Sequence, residues 1–321
     1  MADDEPDHGI EEIAVVGAGR MGHGIAVAYA LAGHPVTLFD VDRSVLTGVG
    51  DRIGAVLATF REHGTIDRQA AEDARSLISL EESFETAVES ADLVTEAVVE
   101  ELPVKHRVFA DLDDHAPADA ILATNTSGFS ITEIAGVVDD PGRVVGTHWF
   151  NPPYVVPLVE VVRGEATVDV TVDRTHALLE ATGKTPVVVE RDVPGFIGNR
   201  IQLAMAYEAF SLLEQGVASA EDIDRAVKAG FGFRLPILGI FEKVDHSGLA
   251  VHNAIESYLL PELDRGTGPS SIVERLVDEG HDGLSSGRGV YDWSGVDPTV
   301  VYEERDRALL DLLAVYESHD G

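Results

Sequence analysis

Past an acidic opening, the first apolar run of the chain is Ile13 to Val16, and glycines end it. A helical pattern follows from Met21 to Ala32 and stops at Gly33 and Pro35, and "VTLFD" (Val36 to Asp40) is a second short apolar run. Strand, helix, strand in that order predicts a βαβ unit. Further strand-like runs lie at Leu93 to Val98, Ala120 to Thr124, Val144 to Thr147, Leu158 to Val162 and Pro186 to Val189, with helical patterns between most of them. Ser130 and Glu133 have the spacing of a capping box that opens a short helix. Apolar strands alternating with helices predict an α/β fold, a doubly wound, mostly parallel sheet covered on both faces.

After "ERDVPGF" the strand-like runs end and long helical patterns take over, so the expected boundary lies near Asp192. Residues 1–191 are the expected sheet domain, and residues 192–321 an all-α domain. The stretch from Phe196 to Gly216 is apolar round most of a helix, which predicts burial between domains or between subunits. The first eleven residues read as a disordered or merely acidic extension.

Charge changes the picture of partners. Asp and Glu number 57 against 23 Lys and Arg, a formal charge of -34, and a chain so anionic is repelled by nucleic-acid phosphates. Only Lys105, Lys184, Lys228 and Lys243 are lysines, and the acids are dispersed, a composition that looks adapted to concentrated salt. No apolar stretch is long enough for a membrane span, and "MADDEPDHGI" lacks the basic and then apolar start of a signal peptide. A soluble cytoplasmic protein with no membrane partner is the expectation. Cysteine is absent, which removes thiol nucleophiles and thiolate metal sites, and no His/Asp/Glu set has convincing metal-ligand spacing.

Gly17, Gly19 and Gly22 form G-x-G-x-x-G between the first strand and the first helix. In that context the glycines serve a tight turn, close approach to a pyrophosphate and helix-to-strand packing, in the manner of a Rossmann-like dinucleotide site. Asp40 ends the second strand, where a carboxylate accepts hydrogen bonds from ribose hydroxyls and repels a 2′-phosphate, so NAD is favoured over NADP. Arg43, nearby, weighs slightly the other way.

Candidate chemistry gathers at "VVGTHWFNPP", where His148 falls at the end of a strand, the usual ligand side of such sheets. Glu160 sits in "PLVEVV", and a carboxylate buried there needs a partner. His148 is the natural one if "WFNPPYVVP" connects neighbouring strands tightly. A carboxylate-paired imidazole is a suitable general base for an alcohol whose carbon passes hydride to a nicotinamide. A half-buried salt bridge or a solvent-facing position is the plainer role for Glu160.

These motifs resemble the short L-3-hydroxyacyl-CoA dehydrogenases, typified by 3-hydroxybutyryl-CoA dehydrogenase. The resemblance runs from about Glu12 to Trp293 through "VVGAGRMGHGIA", "ADLVTEAVVEELPVKHRVF", "ATNTSGFSIT", "GTHWFNPP", "PLVEVV", "VPGFIGNR" and "EQGVASAEDIDRAV". It implies His148 as base, Glu160 as its orienting partner, and Ser127 and Asn199 near the substrate's 3-oxygen and thioester. It also implies Glu100 and Lys105 at the nicotinamide half of NAD, with Met21 joining Gly17, Gly19, Gly22 and Asp40 as cofactor contacts. The implied reaction is reversible oxidation of a short-chain (S)-3-hydroxyacyl-CoA, carried out by a homodimer. The chain departs from the family pattern at Gly128, Ile240 and Ala250, and after Arg52 it has no lysine for coenzyme A phosphates, leaving Arg52, Arg61 and Arg68 as substitutes. A dehydrogenase of a free hydroxy acid, like the gulonate (lambda-crystallin-like) or carnitine dehydrogenases, is the nearest rival. An NAD-binding protein without catalysis is the second.

Overall fold

The computed structural model describes residues 8–320. It divides into two compact units, one running to Arg200 and taking in Asp306–Leu313, the other comprising Ile201–Arg305 and the residues from Ala314 onward.

The first unit is a single eight-stranded sheet with helices. In chain order its elements are β1 (Ile13–Val16), α1 (Arg20–Leu31), β2 (Val36–Phe39), α2 (Arg43–His63), α3 (Arg68–Ser76), β3 (Ile78–Glu81), α4 (Phe84–Val88) and β4 (Leu93–Glu96). Then come α5 (Leu102–His115), β5 (Ile121–Thr124), α6 (Ile131–Ala135), β6 (Val144–Trp149), β7 (Leu158–Val162), α7 (Asp169–Ala181) and β8 (Thr185–Val189). The strand order is β3-β2-β1-β4-β5-β6-β7-β8, and every neighbouring pair is parallel except β6 with β7. Strands β1, β4 and β5 are buried along their whole length, as parallel strands covered on both faces must be. The order reverses between β1 and β4, so a crevice opens at their C-terminal ends, the place where such sheets bind ligands. The expected doubly wound, mostly parallel sheet is therefore the one observed.

Two local expectations need correction. β3 has no clear sequence signal, because it is a short edge strand whose middle residues, Ser79 and Leu80, are exposed. Of the eleven-residue extension, residues 1–7 lie outside the described residues, but Ile10 is buried at 1% exposure and Arg174 holds the carbonyls of His8 and Gly9. Residues 8–10 are thus anchored by burial and hydrogen bonds.

Helix α8 (Gly198–Glu214) begins at the end of the first unit, and the second unit continues with α9 (Ala220–Ala229), α10 (Ile240–Ser247), α11 (Leu249–Leu259) and α12 (Ser271–Asp278). Helix α13 (Pro298–Asp320) closes the chain. Among the described residues no strand follows β8, and only the isolated bridges Gly283 to Arg288 and Arg288 to Asp292 interrupt the helices and turns. Ser211 is the sole described residue of the second unit that is buried. Along α8 several apolar side chains are exposed, Ile201 at 50% and Leu203 at 68%.

Candidate active site

The cradle for a dinucleotide lies in the turn from β1 to α1. Gly17 has φ +103°, and a Cβ there would stand 2.6 Å from the Ala97 carbonyl oxygen. At Gly22 a Cβ would stand 1.7 Å from the Gly17 carbonyl oxygen, whereas Gly19 has nothing within 4 Å and lies open to a ligand. No side chain caps the N-terminus of α1 and its first turn holds no acid, so its free N–H groups and positive dipole end suit a phosphate. Met21 lies half-buried in that turn. Asp40 follows β2, and its carboxylate accepts from the Ala18 N–H at 2.8 Å and the Asp42 N–H at 2.9 Å, which ties the glycine turn to the end of β2. Arg43 is ion-paired with Glu82, so a carboxylate already engages the cation that weighed toward NADP. The residues present fit NAD.

His148 and Glu160 are directly opposed in the antiparallel pair β6–β7, which puts both side chains on one face. His148 Nδ1 and Glu160 Oε2 are 2.6 Å apart, with the residues 4% and 1% exposed. The other carboxylate oxygen, Oε1, accepts the N–H groups of Ile197 at 2.8 Å and Gly198 at 2.9 Å. Burial is the largest influence on Glu160 and pushes its carboxyl up. The bonds from His148, Gly198 and Ile197 outweigh it and hold the group below the usual carboxylate range. An ionised Glu160 therefore faces one imidazole nitrogen and sets the ring's orientation. The rings of Phe150 and Phe196 pack on the imidazole at 4.5 and 5.7 Å between centroids.

A second buried network ends β4 and β5. Glu96, fully buried, takes both bonds of the Lys105 ammonium, at 2.9 and 3.1 Å, together with the Thr124 hydroxyl and the Val98 N–H. Lys105 also pairs with Glu100 at 3.1 Å. Glu100 in turn accepts the Thr126 hydroxyl and the Ser127 N–H, each at 2.7 Å, and the Ser127 carbonyl accepts from Asn199 Nδ2 at 2.9 Å. Glu100 and Lys105, expected at the nicotinamide, and Ser127 and Asn199, expected at the substrate, form one connected chain of contacts.

Several members of the site escaped the sequence reading. Glu96 carries the signal that marked Glu160, a carboxylate inside an apolar run, here "DLVTEAVV". Phe196 has a left-handed backbone, φ +50°, next to Gly195 at +77°, and this turn precedes the two N–H groups on Glu160. No residue-type rule announces such a conformation in a phenylalanine. Among the described residues no group of three or more His, Asp or Glu is arranged to hold a metal ion, and no helix is long and apolar enough to cross a membrane.

A dinucleotide cradle at a sheet's switch point and a buried histidine–carboxylate pair in the same sheet define an NAD-dependent oxidoreductase acting on a CH–OH group. The comparisons give the family. Residues 12–193 match the 3-hydroxyacyl-CoA dehydrogenase NAD-binding domain and residues 195–293 its C-terminal domain, so the chain belongs to the 3-hydroxyacyl-CoA dehydrogenase family. A relative described as "Probable 3-hydroxybutyryl-CoA dehydrogenase" of Bacillus subtilis is 39% identical over 88% of this chain and 98% of its own. The L-carnitine dehydrogenase of Streptomyces griseus subsp. griseus is 31% identical over 95% of this chain and 89% of its own. A crystal structure of 5-formyl-3-hydroxy-2-methylpyridine 4-carboxylic acid 5-dehydrogenase, described as an NAD+-dependent dismutase, superposes with a TM-score of 0.90 at 31% identity, covering 96% of this chain and 99% of that one.

Proposed function

We propose that the protein oxidises a short-chain (S)-3-hydroxyacyl-CoA to the 3-oxoacyl-CoA, reversibly, with His148 as the general base. The observation that carries this reading is the 2.6 Å contact between His148 Nδ1 and a Glu160 carboxylate already held by two backbone N–H groups. With Nδ1 so engaged, the other ring nitrogen, Nε2, is the atom that takes the substrate's hydroxyl proton, and Glu160 stabilises the imidazolium that forms. NAD, when bound, accepts the hydride that leaves C3. Ser127 and Asn199 orient the substrate oxygens, while Glu100 and Lys105 contact the nicotinamide half of the cofactor, and their hydrogen-bonded chain supports these roles.

For the coenzyme, the arginines sort themselves. Arg52 donates to the Ala18 and Val45 carbonyls and so belongs to the glycine turn. Arg61, Arg68 and Arg75 line one cleft between α2 and α3, over Leu57, Ala58 and Ala71, and Glu72, in the same cleft, pairs with Arg68 at 2.7 Å. In a chain of charge -34, three arginines against one carboxylate over an apolar floor favour a phosphorylated substrate. A free hydroxy acid is the second reading. It draws on the end-to-end likeness to the carnitine and pyridine-carboxylate enzymes, and on α13, which lies beyond the matched C-terminal domain.

The homodimer belongs to the same proposal. Phe233 at 77%, Phe241 at 85% and Leu249 at 66% exposure leave the second unit without a core of its own, and a second copy of the chain supplies the cover it needs.

The test is NADH oxidation with acetoacetyl-CoA and, in parallel, free acetoacetate, in molar KCl. Activity confined to the CoA ester is expected, with His148→Ala lowering kcat by about 10²- to 10⁴-fold. The double variant Arg61→Ala/Arg68→Ala is expected to raise KM for the ester about tenfold or more, on the order of 1–3 kcal/mol, without changing KM for NADH. Activity on the free acid alone decides for the second reading.

A further inference from the structure

Lys184, just before β8, is solvated by carbonyls rather than by an acid. Its ammonium donates to the Pro153 carbonyl at 2.7 Å and the Val156 carbonyl at 3.1 Å, and it stands 5.5 Å from the centre of the Trp149 ring. Each of these is a neutral group, in a chain with 57 carboxylates. Burial brings the ammonium down to about 8, so a charge is held there at a cost in solvation.

Both carbonyls belong to the loop that joins β6, which carries His148, to β7, which carries Glu160. The opposite side of that loop presses on α1: a Cβ at Gly24 would stand 2.6 Å from Pro153 Cγ and 3.0 Å from Tyr154 Cδ1. Trp149, adjacent to the base and 2% exposed, packs edge-on against Tyr29 of α1 at 5.4 Å. The loop is therefore gripped between the dinucleotide-binding helix and the Lys184 ammonium.

We propose that Lys184 is a positioning residue for the oxidoreductase reaction: its ammonium clamps residues 153–156 onto α1 and so sets the distance between the His148 imidazole and the bound nicotinamide. An ammonium suits the task because it offers three donors to groups that only accept and adds attraction to the indole face. Hydride and proton leave one substrate carbon and its oxygen together, so an error of about 1 Å between base and cofactor is enough to cost about 10²-fold in rate. The proposal rests on His148 being the base.

The experiment uses full-length protein in molar KCl, with Trp293→Phe as background so that Trp149 is the one remaining tryptophan of two. Lys184→Met, Lys184→Gln and Lys184→Arg are compared with His148→Ala. For the Met and Gln variants kcat is expected to fall about 10- to 100-fold while KM for NADH stays within about twofold. Trp149 emission should shift as the cation leaves its ring, and Arg should restore kcat to within about threefold and return the emission. Wild-type kcat with unshifted emission in the Met or Gln variant overturns the proposal. So does a parallel loss of NADH binding, kcat and melting temperature in all three variants, which makes Lys184 a packing residue only. An active His148→Ala enzyme instead overturns the reading of the base, and the Trp149 shift distinguishes that result from a failure at Lys184.

Discussion

Glu160 is buried, ionised and held by three donors, and each of these facts has a measurable consequence. Replacing it by glutamine keeps the volume but sets an amide that both donates and accepts among groups arranged for a carboxylate. The imidazolium formed in turnover then lacks its counter-charge. Glu160→Gln is expected to lower kcat by about 10²-fold or more, with KM for NADH little changed, in steady-state assays. Stability follows with a definite sign. The folded carboxyl lies below its unfolded value, so its contribution is present above pH ~4.3 and is lost as pH falls through the folded value. Urea midpoints of wild type and Glu160→Gln, measured from pH 7 downward, should converge toward the acid end. Gly128 has a physical reason at the same scale: a Cβ there would stand 3.3 Å from the Gly195 nitrogen, in the turn that leads to Phe196.

At the scale of elements, the parts with strong periodicity and their own end signals were legible. β1, α1 and β2 announce themselves through apolar runs, glycines and Asp40, and α6 through Ser130, whose hydroxyl accepts the Glu133 N–H. His148 and Glu160 were legible as a pair because a carboxylate inside an apolar strand needs a partner and His148 ends the neighbouring strand. What escaped depends on partners far away in sequence. β3 forms because β2 offers it an edge, and Glu96 finds Lys105 only once α5 folds back over β4. The middle of α13 is another case, since residues 306–313 belong to the first unit and no local pattern says so. There Leu310 is 3% exposed, Tyr154 donates to Asp306 at 2.6 Å, and Arg307 and Asp311 meet Glu62 and His63 at the end of α2. The exposed ion pairs contribute little, so the buried leucine is expected to carry this contact. Leu310→Ala should destabilise the protein by about 2–4 kcal/mol in urea unfolding, against less than about 0.5 kcal/mol for Arg307→Ala.

For the whole molecule, charge and apolar exposure act against each other. A homodimer that covers the second unit's exposed Leu203, Phe233 and Phe241 must bring together two chains of formal charge -34 each. Mutual repulsion acts over about 30 Å at 0.01 M salt and about 3 Å at 1 M, so both folding and association should be favoured by KCl. The expected result is a melting temperature that rises by about 10 °C or more between 10 mM and 1 M KCl, a shift worth about 7 kcal/mol for a chain of this size. Light scattering should report monomers replaced by dimers across the same range. Screening and salting-out are separable by the shape of the curve. Screening saturates once the Debye length falls below the spacing of surface charges, so most of the rise should be complete by about 0.5 M KCl. Exclusion of salt from apolar surface continues to grow with concentration and is stronger for sulfate than for chloride. A melting temperature flat in KCl would show that the acidic surface is tolerated rather than screened. A rise that is linear to 2 M and larger in sulfate would assign the effect to the apolar face, and the dimer, rather than the charge, would then be the element that salt stabilises.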